Sequence, residues 1–180
     1  MIVIIVLTFG LIQTSNAQNK QSGLYLTYSD YVNHQLNYTD AKIKKNEFIG
    51  SKNVTIVSNG KKTIIAKDEL FGYHDANGDY RFHDGKAYQI VDTTGFYIYS
   101  YDKLVQQGKG PKPTKVYCFS KKYDDAILPL TPENIAVAFS KNTKFKNMVE
   151  LASRSDIKLD AYDVQSNEYK IKELYSESLQ

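Results

Sequence analysis

Residues 71–83, FGYHDANGDYRFH, decide the fold, because aromatic and polar side chains alternate on both sides of a turn signal. Asn77-Gly78 lies in the middle of this stretch, and both residues tolerate the positive φ angles that two-residue hairpin turns require. Successive side chains of a strand point to opposite faces of a sheet, so the pattern predicts a hairpin with one aromatic and one polar face. We expect the aromatic face to be buried and the polar face to meet water. The aromatic residues are Phe71, Tyr73, Tyr80 and Phe82, and the polar residues are His74, Asp79, Arg81 and His83.

The polar face of this hairpin carries the candidate binding residues. With Asn77-Gly78 as the turn, His74 lies opposite Arg81, and His74 and His83 are diagonal neighbours roughly 7–8 Å apart at the backbone. That separation is wide for one shared metal ion, and the Arg81 cation between the two rings repels a metal, so we predict no metal site. Two interpretations stay open: a binding site in which Arg81 receives an anion, and a solvated face without a ligand. The candidate binding residues are His74, Asp79, Arg81 and His83.

The rest of the chain changes from strand signals to helix signals. Asn59-Gly60 separates two β-branched runs, which is typical of a further hairpin. At Thr131, a capping hydroxyl is followed by proline and glutamate, and this order predicts the start of a helix. Strands followed by helices predict an α+β fold, in which a mainly antiparallel sheet over about residues 24–120 is followed by two or three helices that pack on it. With no linker or composition break, we expect residues 18–180 to form a single domain.

Three segments give less regular signals. Ser29-Asp30 resembles a helix N-cap and predicts a short helix after the first strand. Residues 106–114 contain two glycines and two prolines, and we expect a mobile loop there. Residues 156–179 fit a helix through Ile171 and Leu174, although Tyr169 and Ile171 alone also fit a short strand.

The amino terminus has the features of a removable leader. Residues 2–12 form an apolar run of about 11 residues, which is too short for a membrane-spanning helix of roughly 20. Ser15 and Ala17 fit the groove of a signal peptidase, so we predict a signal peptide over residues 1–17 and cleavage before Gln18. The alternative is a buried N-terminal strand or helix. Cleavage implies export to the periplasm or the extracellular space, with no transmembrane segment in the mature chain.

Composition and missing motifs exclude several functions. A net charge of +3 from 23 basic and 20 acidic residues is too balanced for a dedicated nucleic-acid binder. The G-x-S-x-G, H-E-x-x-H, P-loop and dinucleotide-binding patterns are all absent, so we assign no catalytic residue and no cofactor. A calcium loop starting at Asp75 fails because Tyr80 and Lys86 stand where glycine and glutamate are needed. Cys118 lies in an apolar strand, which is typical of a buried, inert thiol.

Lysines accumulate in one part of the chain. Between residues 103 and 122 the sequence contains no acidic residue. This stretch can attract an anionic partner, such as a lipid head group or an acidic polysaccharide, or it can be a loop that lysines keep solvated. The lysines are Lys103, Lys109, Lys112, Lys115, Lys121 and Lys122.

Short motifs in the chain resemble those of a group of small exported bacterial proteins without assigned activity. The resemblance covers most of the mature chain. It implies export and a single domain, and it transfers no catalytic residue. The matching motifs are Ala17-Gln18, Gly23-Leu24-Tyr25-Leu26-Thr27, Leu70-Phe71-Gly72-Tyr73, Tyr80-Arg81-Phe82, Leu130-Thr131-Pro132-Glu133-Asn134-Ile135, Phe145, Asp163 and Tyr169-Lys170-Ile171.

Three functional hypotheses follow from these observations. The first is an exported, non-enzymatic protein that binds an unknown protein or an envelope component through the polar hairpin face. The second is a secreted hydrolase that uses carboxylate or histidine residues. The third is a subunit whose Cys118 or aromatic face is covered only in a complex. The oligomeric state stays open.

Overall fold

The computed structural model describes residues 22–45, 51–108 and 110–180. The predicted signal peptide and its cleavage site lie outside these residues. The described chain contains twelve strands and four helices, with a short 3-10 helix at Lys67–Glu69. The strands are β1 (Gly23–Tyr25), β2 (Lys42–Lys44), β3 (Asn53–Ser58), β4 (Lys61–Ala66), β5 (Gly72–Asp75), β6 (Gly78–His83), β7 (Lys86–Asp92), β8 (Tyr97–Gln107), β9 (Gly110–Ser120), β10 (Leu128–Pro129), β11 (Tyr162–Asp163) and β12 (Glu168–Tyr169). The helices are α1 (Tyr28–Val32), α2 (Pro132–Ala138), α3 (Thr143–Arg154) and α4 (Lys170–Ser178).

The main sheet has seven strands in the order β1-β5-β6-β7-β8-β9-β10, and all neighbouring strands are antiparallel. A second antiparallel sheet contains β2, β3 and β4, and β11 pairs with β12. The predicted α+β fold, with an antiparallel sheet followed by helices, is confirmed. From β5 to β9 the order in the sheet equals the order in the chain, as expected when short turns connect successive strands.

The β5–β6 hairpin forms as predicted, but its turn lies one residue earlier. His74 lies opposite Asp79, not opposite Arg81, and the two turn residues are Ala76 and Asn77. The cause is local: the Asp75 Oδ1 atom accepts the backbone N–H of Asn77 at 2.9 Å, which closes an Asx turn before the glycine. This shift moves each pairing partner by two positions, so the paired residues of β5 and β6 keep their predicted faces. The predicted face is wrong for Phe71, which precedes β5 and packs against Tyr28 and Tyr31 on the opposite side of the sheet.

One face of the main sheet, which we call the core face, is covered at both ends. At the β1–β5–β6 end, Leu24, Tyr73 and Phe82 pack against Val54 and Ile56 of the second sheet. Tyr73 and Phe82 are buried, so the predicted burial of the aromatic side of the hairpin is confirmed for these two rings.

At the β8–β9 end, the helices cover the core face. Ile98 and Phe119 of the sheet are fully buried against Ile135 of α2, Phe145 of α3 and Ile171 of α4. The predicted start of α2 is confirmed, because the Thr131 side chain accepts the backbone N–H of Asn134. The ambiguous last segment contains both alternatives: a short β11–β12 hairpin, and then α4 from Lys170. None of the helices in the described ranges has the length and hydropathy that crossing a membrane requires.

A continuous β-ribbon replaces the loop that was expected at residues 106–114. The β8 and β9 strands stay paired out to Gln107 and Gly110, so the loop prediction is wrong. Pro111 and Pro113 are tolerated because their backbone nitrogens point away from β8. Tyr117 has the same orientation, since its backbone oxygen accepts the N–H of Leu130 on the outer side of β9. A proline is compatible with a strand where its nitrogen needs no partner.

Gly72 gives a test of the hairpin packing. A Cβ atom at Gly72 would lie 1.7 Å from the backbone oxygen of Tyr80, so we expect Gly72→Ala to lower the free energy of unfolding by about 3 kcal/mol or more. Gly110→Ala is the matched control, because no atom lies within 4 Å of its Cβ position. Its effect should stay within about 0.5 kcal/mol in urea unfolding. Equal stability of the two variants would contradict this register.

Candidate functional site

The four candidate residues share one face of the main sheet, opposite the core face. Their register places them beside Tyr25, Tyr97 and Tyr99, and we call this the tyrosine face. The expectation that this face meets water is wrong for Arg81, which is only 6% exposed. The other candidates, His74, Asp79 and His83, are half-buried. Two segments that the hairpin pattern cannot reveal cover the face: α1 and the residues 121–127 between β9 and β10, which we call the covering loop.

His74 and Asp79 form one cluster with Tyr25. The Asp79 Oδ1 atom accepts the Tyr25 hydroxyl at 2.8 Å and lies 2.7 Å from His74 Nδ1. Burial, reinforced by the bond to the Asp79 carboxylate, raises the pKa of Tyr25, so its hydroxyl stays protonated and donates. The carboxylate therefore ties β1 to the β5–β6 hairpin and fixes the orientation of the His74 ring.

Arg81 lies at the centre of a second network. Its Nη1 atom donates to the Tyr99 hydroxyl at 3.0 Å, and its Nη2 atom donates to the backbone oxygen of Asp125 at 3.0 Å. The Ser120 hydroxyl donates to the backbone oxygen of Lys122 at 2.6 Å, so the Tyr99 hydroxyl, 3.0 Å away, must donate to Ser120. Within the described ranges, Arg81 has no carboxylate at ion-pair distance, and backbone oxygens of the covering loop accept from its network.

His83 holds the other end of the covering loop. Its Nε2 atom accepts the backbone N–H of Ile127 at 3.3 Å. Only a neutral imidazole with its proton on Nδ1 can accept at this atom. The candidate residues thus divide into two groups: His74 and Asp79 fix β1, whereas Arg81 and His83 fix the covering loop.

Partly exposed aromatic rings form a continuous surface above the tyrosine face, which we call the aromatic patch. Its members are Tyr28, Tyr31, Phe71, Tyr97 and Tyr123. Tyr28 and Tyr123 stack in parallel with ring centroids 3.6 Å apart, and Tyr31 stacks on Phe71 at 5.0 Å. The Tyr28 and Tyr97 hydroxyls are 2.7 Å apart. Tyr123 is 40% exposed at the outer edge of the patch.

Local structure positions the rings of α1. The predicted N-cap lies two residues too late, because Thr27 caps α1 by accepting the backbone N–H of Asp30 at 3.1 Å. Asp30 completes a capping box, since its carboxylate accepts the Thr27 N–H at 3.0 Å. The capping box fixes where α1 begins. Because Tyr28 and Tyr31 are three residues apart, both lie on the helix side that faces the sheet. Sequence reasoning missed the patch, although 15 tyrosines among 180 residues was an available signal.

Two hydroxyls of the patch, those of Tyr31 and Tyr97, have raised pKa values. Burial raises the pKa of Tyr31 to about 12, with the Asp79 charge as the next cause. Burial and the hydrogen bond to Tyr28 raise the pKa of Tyr97 as well. Tyr31 and Tyr97 therefore stay neutral at physiological pH, and each offers an aromatic ring with a polar hydroxyl.

Cys118 and Lys172, two of the buried groups outside the patch, also have altered pKa values. Burial raises the pKa of Cys118 to about 11, so the thiol stays protonated, and the predicted burial of Cys118 is confirmed. Burial lowers the pKa of Lys172 to about 8, although Asp92 opposes this shift. The Lys172 Nζ atom lies 3.2 Å from Asp92 Oδ1 and donates to the backbone oxygens of Thr94 and Phe96. These bonds anchor α4 to the sheet.

A surface cavity of about 730 Å³ lies away from the aromatic patch, between the α2–α3 connection and the end of α4. Among the described residues, no group of three or more His, Cys, Asp or Glu side chains is placed to hold a metal ion. Comparison of the chain with protein-family models, curated proteins and solved structures finds no match.

Arg81 provides a test of the covering loop. We expect Arg81→Ala to lower the free energy of unfolding by about 2–4 kcal/mol, because the loop oxygens lose a charged donor and the side chain leaves a gap. Amide hydrogen exchange should accelerate at residues 122–127 before the strands are affected. Arg154→Ala is the control: Arg154 is exposed and, among the described residues, pairs with Glu150 on α3 alone, so its loss should cost less than about 0.5 kcal/mol. Unchanged exchange in the Arg81 variant would contradict the anchoring role.

Tyr31 gives a pH-dependent prediction. Its pKa is raised from 10.0 in the unfolded chain to about 12 in the folded protein. The unfolded state therefore loses this proton first, and the contribution of Tyr31 to stability is complete below pH 10 and is lost between pH 10 and 12. The free energy of unfolding of Tyr31→Phe should fall less steeply with pH in this interval, as measured by urea unfolding. Identical slopes in the two proteins would refute the prediction.

Proposed function

We propose that this protein is an exported, non-enzymatic binding protein that recognises a partner protein at the cell envelope through the aromatic patch. Export is supported by the apolar leader and the small residues Ser15 and Ala17. The main supporting observation is the aromatic patch itself, in which five aromatic side chains, connected through Tyr28 and Tyr31, are partly exposed to solvent.

The chemistry of the patch favours protein recognition. Tyrosine is enriched at the centre of protein interfaces, because a rigid ring supplies large contact area and a polar tip at low entropic cost. Stacking fixes Tyr28 between Tyr123 and the sheet, so this side chain loses little conformational entropy when a partner binds. The patch thus combines accessible apolar area with preformed geometry, which are the features of interface hot spots.

The candidate polar residues support a non-enzymatic role. His74 and Asp79 bond to each other, and Arg81 and His83 bond to the covering loop. Each side chain therefore has a structural partner, and Arg81 is too buried to meet a substrate. We accordingly assign these residues to the support of the binding surface and not to the contact with the partner.

A secreted hydrolase is the second candidate. The observation that favours it is the 2.7 Å contact between His74 Nδ1 and Asp79, since a carboxylate in this position orients a histidine for proton transfer through Nε2. No nucleophilic side chain is bonded to His74 within the described ranges. The binding function is therefore better supported.

The aromatic patch can be tested with a matched pair of tyrosine variants. A partner captured from envelope extract by the immobilised protein is purified, and its affinity is measured for the wild type, Tyr123→Ala and Tyr162→Ala. Both residues are exposed, by 40% and 46%, but Tyr162 lies on β11, outside the patch. We expect Tyr123→Ala to weaken binding about tenfold or more, as truncation of an interface anchor does, and Tyr162→Ala to leave it unchanged.

The folded state of each variant is checked by its thermal unfolding midpoint. Equal binding by all three proteins would overturn the role of the patch. Turnover of an ester or glycoside by the wild type, with loss in His74→Gln, would instead favour the hydrolase.

A further inference from the structure

The cavity at the α2–α3 connection has the size and the lining of a ligand site. Its volume of about 730 Å³ falls within the range of small-molecule sites, roughly 300–1,000 Å³. The walls come from three parts of the chain: the start of the covering loop, the α2–α3 connection and the end of α4. The lining includes Lys121, Phe139, Lys141 and Tyr175.

The floor of the cavity is apolar and rigid. The rings of Phe139 and Tyr175 meet edge to face with centroids 5.5 Å apart, and both also pack against Phe145. Leu179 adds an aliphatic wall that is 66% exposed in the described structure. An apolar ligand body would cover this leucine and gain contact with fixed rings.

The charge of the cavity has one sign. Its lining contains two lysines, Lys121 and Lys141, and no carboxylate side chain. Lys121 Nζ lies 5.4 Å from the centroid of the Phe139 ring, so this cation is held above the floor. Within the described ranges, neither lysine forms an ion pair, and both amines remain available to an anion.

Some polar side chains of the lining form hydrogen bonds within the protein, and others are available to bond a ligand. The Asn142 side chain donates to Ser178 Oγ at 2.9 Å, and Ser178 in turn donates to the backbone oxygen of Tyr175. In the part of the chain that the structure describes, the hydroxyls of Ser140 and Thr143 make no hydrogen bond. Two cations and two hydroxyl donors therefore surround an apolar floor.

We infer that this cavity binds a small organic anion, namely a monocarboxylate with an aromatic or aliphatic body. The carboxylate bonds to the amines of Lys121 and Lys141, and the body lies on Phe139 and Tyr175. A metal cation is disfavoured by the two lysines, and a neutral ligand leaves both amines unused. The site is separate from the aromatic patch and does not depend on the proposed function.

The test is a titration of the full chain with naphthoate, followed by NMR chemical shifts, with the neutral naphthamide as the matched ligand. Shifts are expected at residues 138–143 and 175–179. Lys121→Gln/Lys141→Gln should bind naphthoate about tenfold more weakly or worse, as expected for the loss of charge-assisted bonds. Lys103→Gln/Lys112→Gln on the β8–β9 ribbon is the control with the same change of net charge and should bind like the wild type.

Since both cavity lysines are polar residues at the surface, their variants should retain the dispersed spectrum of the folded protein, and Lys141→Gln alone is a second, milder variant. Equal affinities for naphthoate and naphthamide would overturn the inference. So would shifts confined to other residues, or unaltered naphthoate binding by both the double and the single cavity variants.

Discussion

The buried guanidinium of Arg81 is the constraint on which the functional side of the molecule depends. Removing a cation from water costs several kcal/mol unless hydrogen bonds replace its hydration. Here the replacement is an aromatic hydroxyl and a backbone oxygen, and no carboxylate takes part among the described residues. Because the oxygen belongs to Asp125, the covering loop must fold back over the sheet for the charge to be tolerated. The burial of Arg81 on β6 therefore constrains the conformation of the covering loop.

The aromatic patch also depends on the position of the covering loop. Tyr123 belongs to the covering loop, whereas its stacking partner Tyr28 belongs to α1, almost a hundred residues earlier in the chain. The loop brings the outer ring over the helix, and the bond between the Tyr28 and Tyr97 hydroxyls ties that helix to β8. The hydrogen bond from Arg81 below and the ring stacking above therefore stabilise the same loop. The candidate binding residues identified from the sequence therefore lie below the surface. The rings of the aromatic patch lie above them and are partly exposed to solvent.

Local patterns predicted much of the fold and little of the functional surface. The two faces of the β5–β6 hairpin and the Thr131 cap follow from neighbouring residues, and both were predicted. The turn position was off by one residue because the Asp75 carboxylate competes with the Asn-Gly signal. The burial of Arg81 depends on Asp125, 44 positions away, and no short-range pattern contains that information. The aromatic patch is likewise assembled from distant segments, so only its high tyrosine content was visible in the sequence.

The prolines of the β8–β9 ribbon have a consequence for how copies of the chain behave toward one another. A long exposed strand normally presents a row of free amide donors that a second chain can extend into a shared sheet. Pro111 and Pro113 remove two of these donors on the outer rim of β9, and lysines flank them. At high protein concentration, this edge of β9 is consequently a poor template for fibril growth. The ribbon can project into solvent without pairing with the β9 edge of another copy.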